Sequence, residues 1–100
     1  MGLFDKISAK HKARKLDDFL SNSLYGLLDN FVSVEEKVSN GVVQSNEAVD
    51  FLRSVCKTAK DELLSVKAVN EQVYNRYERL FKIHLFTIEK YINNLSVHHL

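Results

Sequence analysis

NEQVYNRYERLFKIHLFTIEKYINNL, residues Asn70–Leu95, is the stretch that decides the fold. Its apolar side chains recur at alternating intervals of three and four residues, which is the period of an amphipathic helix, whereas a strand alternates every second residue. One helical face collects Val73, Tyr77, Leu80, Phe81, His84, Ile88, Tyr91, Ile92 and Leu95. The sequence therefore predicts a long helix at the centre of a small bundle.

Two apolar side chains of this stretch, Ile83 and Phe86, lie outside that face. A helix that is apolar on more than one side usually contacts two neighbours, or one neighbour and a second copy of the chain. Ile83 and Phe86 are therefore candidate binding residues, and self-association is an expectation.

Two further segments have helical periodicity. Residues 16–38 carry an a/d heptad seam made of Leu20, Leu24, Leu27, Phe31, Val34 and Val38, and the stripe is widened by Tyr25, Leu28 and Val32. Residues 47–69 carry a second stripe made of Leu52, Val55, Cys56, Ala59, Leu63 and Val66. Weak helix formers at Ser21–Ser23 and Gly26 indicate a bend or a short break in the first segment.

The boundaries between the helices follow from turn chemistry. Asn40-Gly41 tolerates positive φ and predicts the end of the first helix, with Val42 folded back on it and Ser45 or Asn46 as the next N-cap. Near residue 70 two structures fit, because the stripes before and after it are in phase. One is a single helix of about 50 residues; the other, favoured by usual helix lengths, has a break with Asn70 as the N-cap.

Composition agrees with a single all-α domain. The 100 residues are 45% hydrophobic and 27% charged, with no proline, three glycines and a net charge of +1. That charge argues against a dedicated nucleic-acid binder. Cys56 is the only cysteine, which excludes an internal disulfide, and no spacing of histidine, cysteine or glycine predicts a metal or cofactor site. We predict an antiparallel helical hairpin, residues 16–38 against 47–95, elaborated into a three- or four-helix bundle.

Charge is distributed unevenly along the chain. Residues 1–15 carry five basic side chains and one acidic one, residues 16–50 carry one basic and seven acidic, and residues 51–100 carry eight basic and five acidic. Such a pattern indicates complementarity within the molecule or attraction of a partner.

Residues 1–15, MGLFDKISAKHKARK, form a short basic amphipathic segment, which we separate from a helical bundle domain of residues 16–100. Leu3, Phe4 and Ile7 share one helical face, nearly opposite to the seam that follows, so they are further candidate binding residues. The opening Gly-Leu-Phe-Asp-Lys resembles the start of some amphibian membrane-active peptides. Reversible binding to an anionic membrane surface is therefore one expected function.

Arg79 and His84 are the weak catalytic candidates. Their spacing inside a helical segment resembles the Arg-x(4–6)-His signature of the HEPN superfamily, small helical-bundle proteins that include metal-independent ribonucleases. The resemblance implies that Arg79 neutralises a phosphate and that His84 assists proton transfer. Leu80 stands where that pattern has a polar residue.

The sequence favours a small non-catalytic intracellular binding protein, namely an adaptor, regulator or inhibitor that acts through protein–protein contacts. Peripheral membrane association through residues 1–15 and HEPN-like ribonuclease activity are the alternatives. We expect a protein partner, no cofactor, and a cytoplasmic location, extending to the inner face of a membrane if residues 1–15 bind lipid.

Overall fold

The computed structural model describes the backbone of residues 3–98 and the side chains of residues 10–97. It contains three helices, α1 (Leu3–Ser39), α2 (Ser45–Lys67) and α3 (Glu71–His98). No strand occurs between residues 3 and 98, so the all-α prediction is confirmed. Within the same residues, no helix combines the length and the apolar character that crossing a bilayer requires.

The helices lie side by side, and the contacts between them give their directions. Asp17 of α1 contacts Arg76 of α3 with 3.4 Å between Oδ1 and Nη1. Further along both helices, the Phe31 ring meets the Tyr91 ring edge-on, with 5.3 Å between centroids. The two pairs differ by 59 and 60 in residue number, so α1 and α3 run in the same direction and in fixed register.

α2 runs in the opposite direction and packs most closely on α3. The Lys67 ammonium lies 5.2 Å from the centroid of the Tyr74 ring, close to the turn between these helices. Towards the middle of the pair, Lys60 Nζ lies 2.6 Å from Glu89 Oε1. The hydrogen bond to Glu89 raises the pKa of the Lys60 ammonium, so the ammonium stays charged at neutral pH.

The core follows the predicted stripes of α1 and α2 but is rotated on α3. Leu20, Leu27 and Leu52 are fully buried, as the spacing predicted. On α3 the buried set includes Tyr74 and Leu85, which the predicted face omitted. It excludes Leu80, which is 45% exposed, so that part of the prediction is wrong. The rotation turns the centre of the α3 stripe towards α2, its closer neighbour, and leaves Leu80 at the edge beside α1.

The turn after α1 forms a Schellman motif. Gly41 has φ of 72°, its N–H donates to the Val38 carbonyl at 3.1 Å, and the Val42 N–H donates to the Lys37 carbonyl at 2.8 Å. The helix end predicted at Asn40-Gly41 is therefore confirmed. Val42 folds back on the helix end through its backbone hydrogen bond to Lys37, but its side chain is exposed, and Val43 packs against the core.

The N-cap of α2 is Gln44, not Ser45 or Asn46 as predicted. Its backbone is extended and its side chain makes no capping hydrogen bond. Helix α2 therefore begins one residue earlier than capping chemistry alone indicates, and Ala48 and Val49 are buried within its first two turns.

The break at residue 70 is confirmed. Asn70 lies between α2 and α3, and its Oδ1 accepts a hydrogen bond of 3.1 Å from the Val73 N–H, as an N-cap does.

Helix α1 is continuous across two places where irregularity was expected. It has no break at Ser21–Ser23 or Gly26, and the boundary predicted after residue 15 falls inside it. At 1.5 Å per residue it is about 55 Å long, against about 35 Å for α2 and about 42 Å for α3. Ala13 is the first described side chain of α1 that packs against the core. The turns before it therefore extend beyond the other two helices.

Candidate protein-binding face

Exposed apolar side chains of α1 and α3 lie next to each other on one side of the molecule. We call this surface the α1/α3 face, and its apolar centre consists of Tyr25, Leu28, Val32, Leu80 and Ile83. Tyr25 is 72% exposed, Val32 51% and Ile83 52%, and Leu28 is half-buried between them and the core. These side chains leave a large apolar surface in contact with water.

The Asp17–Arg76 contact shows why these residues meet. Leu80 and Ile83 follow Arg76 by four and seven residues, close to one and two turns, so they lie on the same side of α3. Leu28 and Val32 follow Asp17 by about three and four turns on α1. The shared register puts Ile83 nearly level with Tyr25, and the apolar centre is about 18 Å long.

Charged residues of opposite sign border the apolar centre on α1. Lys10 precedes Leu28 by five turns, and Arg14 precedes Val32 by five turns, so both basic side chains lie on this side of the helix. Glu35 lies on the same side at the other end, and Glu36 is exposed beside it. Asp18 lies one turn after Arg14, Lys90 of α3 lies two turns after Ile83, and both are exposed. The α1 side of the face is thus net basic at one end, apolar in the middle and acidic at the other end.

The predicted binding residues divide into three groups. Ile83 belongs to the α1/α3 face, whereas Phe86 is exposed on the adjoining side of α3. The side chains of Leu3, Phe4 and Ile7 lie outside the described ones, which begin at Lys10. Sequence reasoning missed Leu80 as a surface residue, because the heptad spacing alone placed it in the core.

A groove lies between α1 and α2, separate from the α1/α3 face. It has a volume of about 420 Å³ and is lined mainly by small and polar side chains, among them Ser23, Gly26, Ser54 and Thr58. The Ser23 Oγ is buried beside it and has no hydrogen-bond partner among the described residues. No charged cluster converges on this groove, so its geometry indicates no reaction.

Arg79 and His84 are not brought together in α3. Arg79 is exposed and His84 is half-buried. Five residues along a helix correspond to about 140° of rotation, so the two side chains leave α3 on different sides. HEPN-like ribonuclease activity stays a prediction, with no geometry in α3 that favours it.

Titratable groups in the core are held in their neutral forms. Burial raises the pKa of the Cys56 thiol, and the nearby Glu89 carboxylate raises it further. A neutral thiol is a weak nucleophile and a weak metal ligand. Among the described residues, no three histidine, cysteine or acidic side chains are grouped so that they could hold a metal ion.

Comparison of the chain with protein-family models, with curated proteins and with solved structures gave no match.

Proposed function

We propose that this chain is a small non-catalytic intracellular binding protein, a three-helix bundle that presents the α1/α3 face to a protein partner. The observation that carries the proposal is the apolar centre of that face. Monomeric proteins rarely leave contiguous apolar patches of this kind in water unless the patch is a binding surface.

The composition of the face supports protein recognition. Binding energy in protein interfaces is concentrated in a few central aromatic and large apolar side chains, surrounded by a polar rim. Tyr25 and Ile83 fit the role of central anchors, and the basic and acidic ends of the face fit the role of the rim. Tyr25 also retains a hydroxyl group that can hydrogen-bond to a partner.

Capture from native-host lysate tests this proposal. The tagged chain is compared with Ile83→Asp and with the control Leu64→Asp. Leu64 is similarly exposed, at 55%, but lies on α2, outside the face. We expect Ile83→Asp to lose a stoichiometric protein partner and Leu64→Asp to retain it, with circular dichroism showing that both variants are folded. Equal retention by the two variants would reject the face.

Reversible membrane association is the second candidate function. It is favoured by the N-terminal part of α1, which projects beyond the other helices before Ala13 and in which Lys10, His11, Lys12, Arg14 and Lys15 are all exposed. Basic residues near an anionic bilayer contribute about 1 kcal/mol each to binding.

Vesicle flotation tests the membrane candidate. We expect flotation with phosphatidylserine-containing vesicles, none with neutral vesicles, and loss of flotation in 0.5 M salt or in the Leu3→Asp/Phe4→Asp variant. Flotation that is unaffected by lipid charge would contradict it.

A further inference from the structure

We propose that a second copy of this chain covers the α1/α3 face, related to the first by a two-fold axis perpendicular to the long axis of the molecule. The inference rests on the proposed function, because it takes the same face as the docking surface and names its occupant.

Charge is the first argument for a second copy. Along α1, the face is net basic at its first end, where Lys10 and Arg14 outnumber Asp18, and acidic at Glu35 and Glu36. A surface with opposite charges at its two ends is complementary to itself when turned end over end. Electrostatic complementarity of this kind selects the partner and its orientation.

The register of the helices gives the second argument. The middle of the apolar centre lies close to the level of Tyr25. A two-fold axis through that level places α1 against the α1 of the other copy, running in the opposite direction. On α1, Arg14 then lies near Glu36 of the second copy, the reciprocal pair forms by symmetry, and the two Tyr25 side chains lie near the axis. On α3, the same axis brings Arg79 level with Lys90 of the second copy, so the charge argument is confined to α1.

The alternative two-fold axis, along the length of the molecule, is less favourable. It places α1 beside α3 of the other copy and brings the two projecting basic ends to the same end of the dimer. Neither Arg14 nor Lys10 then reaches Glu35 or Glu36 of the other copy.

The size of the face agrees with a dimer interface. From Lys10 to Glu36 it is about 39 Å long at 1.5 Å per residue. The molecule measures 62 × 19 × 16 Å, so the face has a footprint on the order of 700 Å² per copy. A standard specific interface buries about 800 Å² per partner.

Exchange of the two charges tests the proposal. We expect sedimentation equilibrium to give a dimer for the unchanged chain. The variants Arg14→Glu and Glu36→Lys should each dimerise at least about tenfold more weakly alone, because each creates two like-charge contacts. An equimolar mixture of the two variants should restore the dimer, since both contacts in the mixed species then pair opposite charges.

Two control variants separate this interface from general changes in charge or polarity. Lys15→Glu makes the same kind of charge change one residue later, about 100° around the helix and off the face, and should leave the dimer intact. Leu64→Asp should also leave it intact, whereas Ile83→Asp should give a monomer.

Three outcomes would overturn the inference: a monomeric unchanged chain at millimolar concentration, equal weakening by Arg14→Glu and Lys15→Glu, or a mixture that remains monomeric. The failure of the dimer is distinguishable from the failure of the proposed function. A monomeric chain that still captures a different protein through Ile83 would remove only the second copy as the occupant.

Discussion

At the scale of single residues, Gly26 and Gly41 give opposite predictions for the same substitution. Gly41 has φ of 72°, where a Cβ is strained, whereas Gly26 lies in α1 with no atom within 4 Å of an added Cβ. We expect Gly41→Ala to lower the free energy of unfolding by about 1–2 kcal/mol. Gly26→Ala should raise it by up to about 1 kcal/mol. Urea denaturation with an unchanged m-value measures both, and changes of the same sign would contradict the backbone account.

Residue identity alone predicted one end of this turn and not the other. Asn40-Gly41 has a strong intrinsic preference for positive φ, so the end of α1 was readable from the sequence. The start of α2 was not, because Gln44 caps through its extended backbone without using its side chain. Val43 and Ala48 on either side of that start pack in the core, and a local capping preference does not take such packing into account.

At the scale of helices, Asn70 separates α2 from α3 through one hydrogen bond to the Val73 N–H. We expect Asn70→Ala to lower the free energy of unfolding by about 1 kcal/mol, and Asn70→Asp to retain most of it, because aspartate also accepts this bond and favours a helix N-terminus. Thermal unfolding followed by circular dichroism measures the difference. If Asn70→Ala were neutral, the cap would not stabilise the turn.

The sequence left the break at Asn70 undecided because the stripes on both sides are in phase. It also indicated a weak point in α1 that does not exist. Ser21–Ser23 and Gly26 cost helix propensity, but Leu20, Leu24 and Leu27 bury their side chains against α2 and α3 across the same turns. Tertiary packing outweighs propensities of less than about 1 kcal/mol per residue.

At the scale of the whole molecule, the core loses stability in alkali. Burial raises the pKa of the Cys56 thiol and of the Tyr77 and Tyr91 phenols. Above a pH of about 9 the unfolded chain therefore releases protons that the folded chain retains, and stability falls as pH rises. We expect the urea concentration at the midpoint of unfolding to be constant between pH 7 and 8 and to fall from pH 9 to 11. In Cys56→Ala, the fall should begin at higher pH; an identical onset would exclude a contribution from the thiol.

The α1/α3 face combines residues of two helices, so the sequence predicted only its separate parts. On α3, the sequence placed Ile83 outside the predicted core face. On α1, it placed Tyr25, Leu28 and Val32 beside the predicted heptad seam. Their union into one surface depends on the register set by the Asp17–Arg76 and Phe31–Tyr91 contacts. Such long-range register is not encoded in the local spacing of either helix.

The close packing of α2 on α3 has a consequence for synthesis on the ribosome. These helices are joined by a turn of only three residues, so closing the loop between them costs little entropy, and their pairing is expected to be fast. Helix α1 emerges first and is joined to α2 by a turn of five residues, but its leucine seam is fully covered only after α3 has also left the exit tunnel. The nascent chain therefore leaves part of this seam in water until the synthesis of α3 is complete.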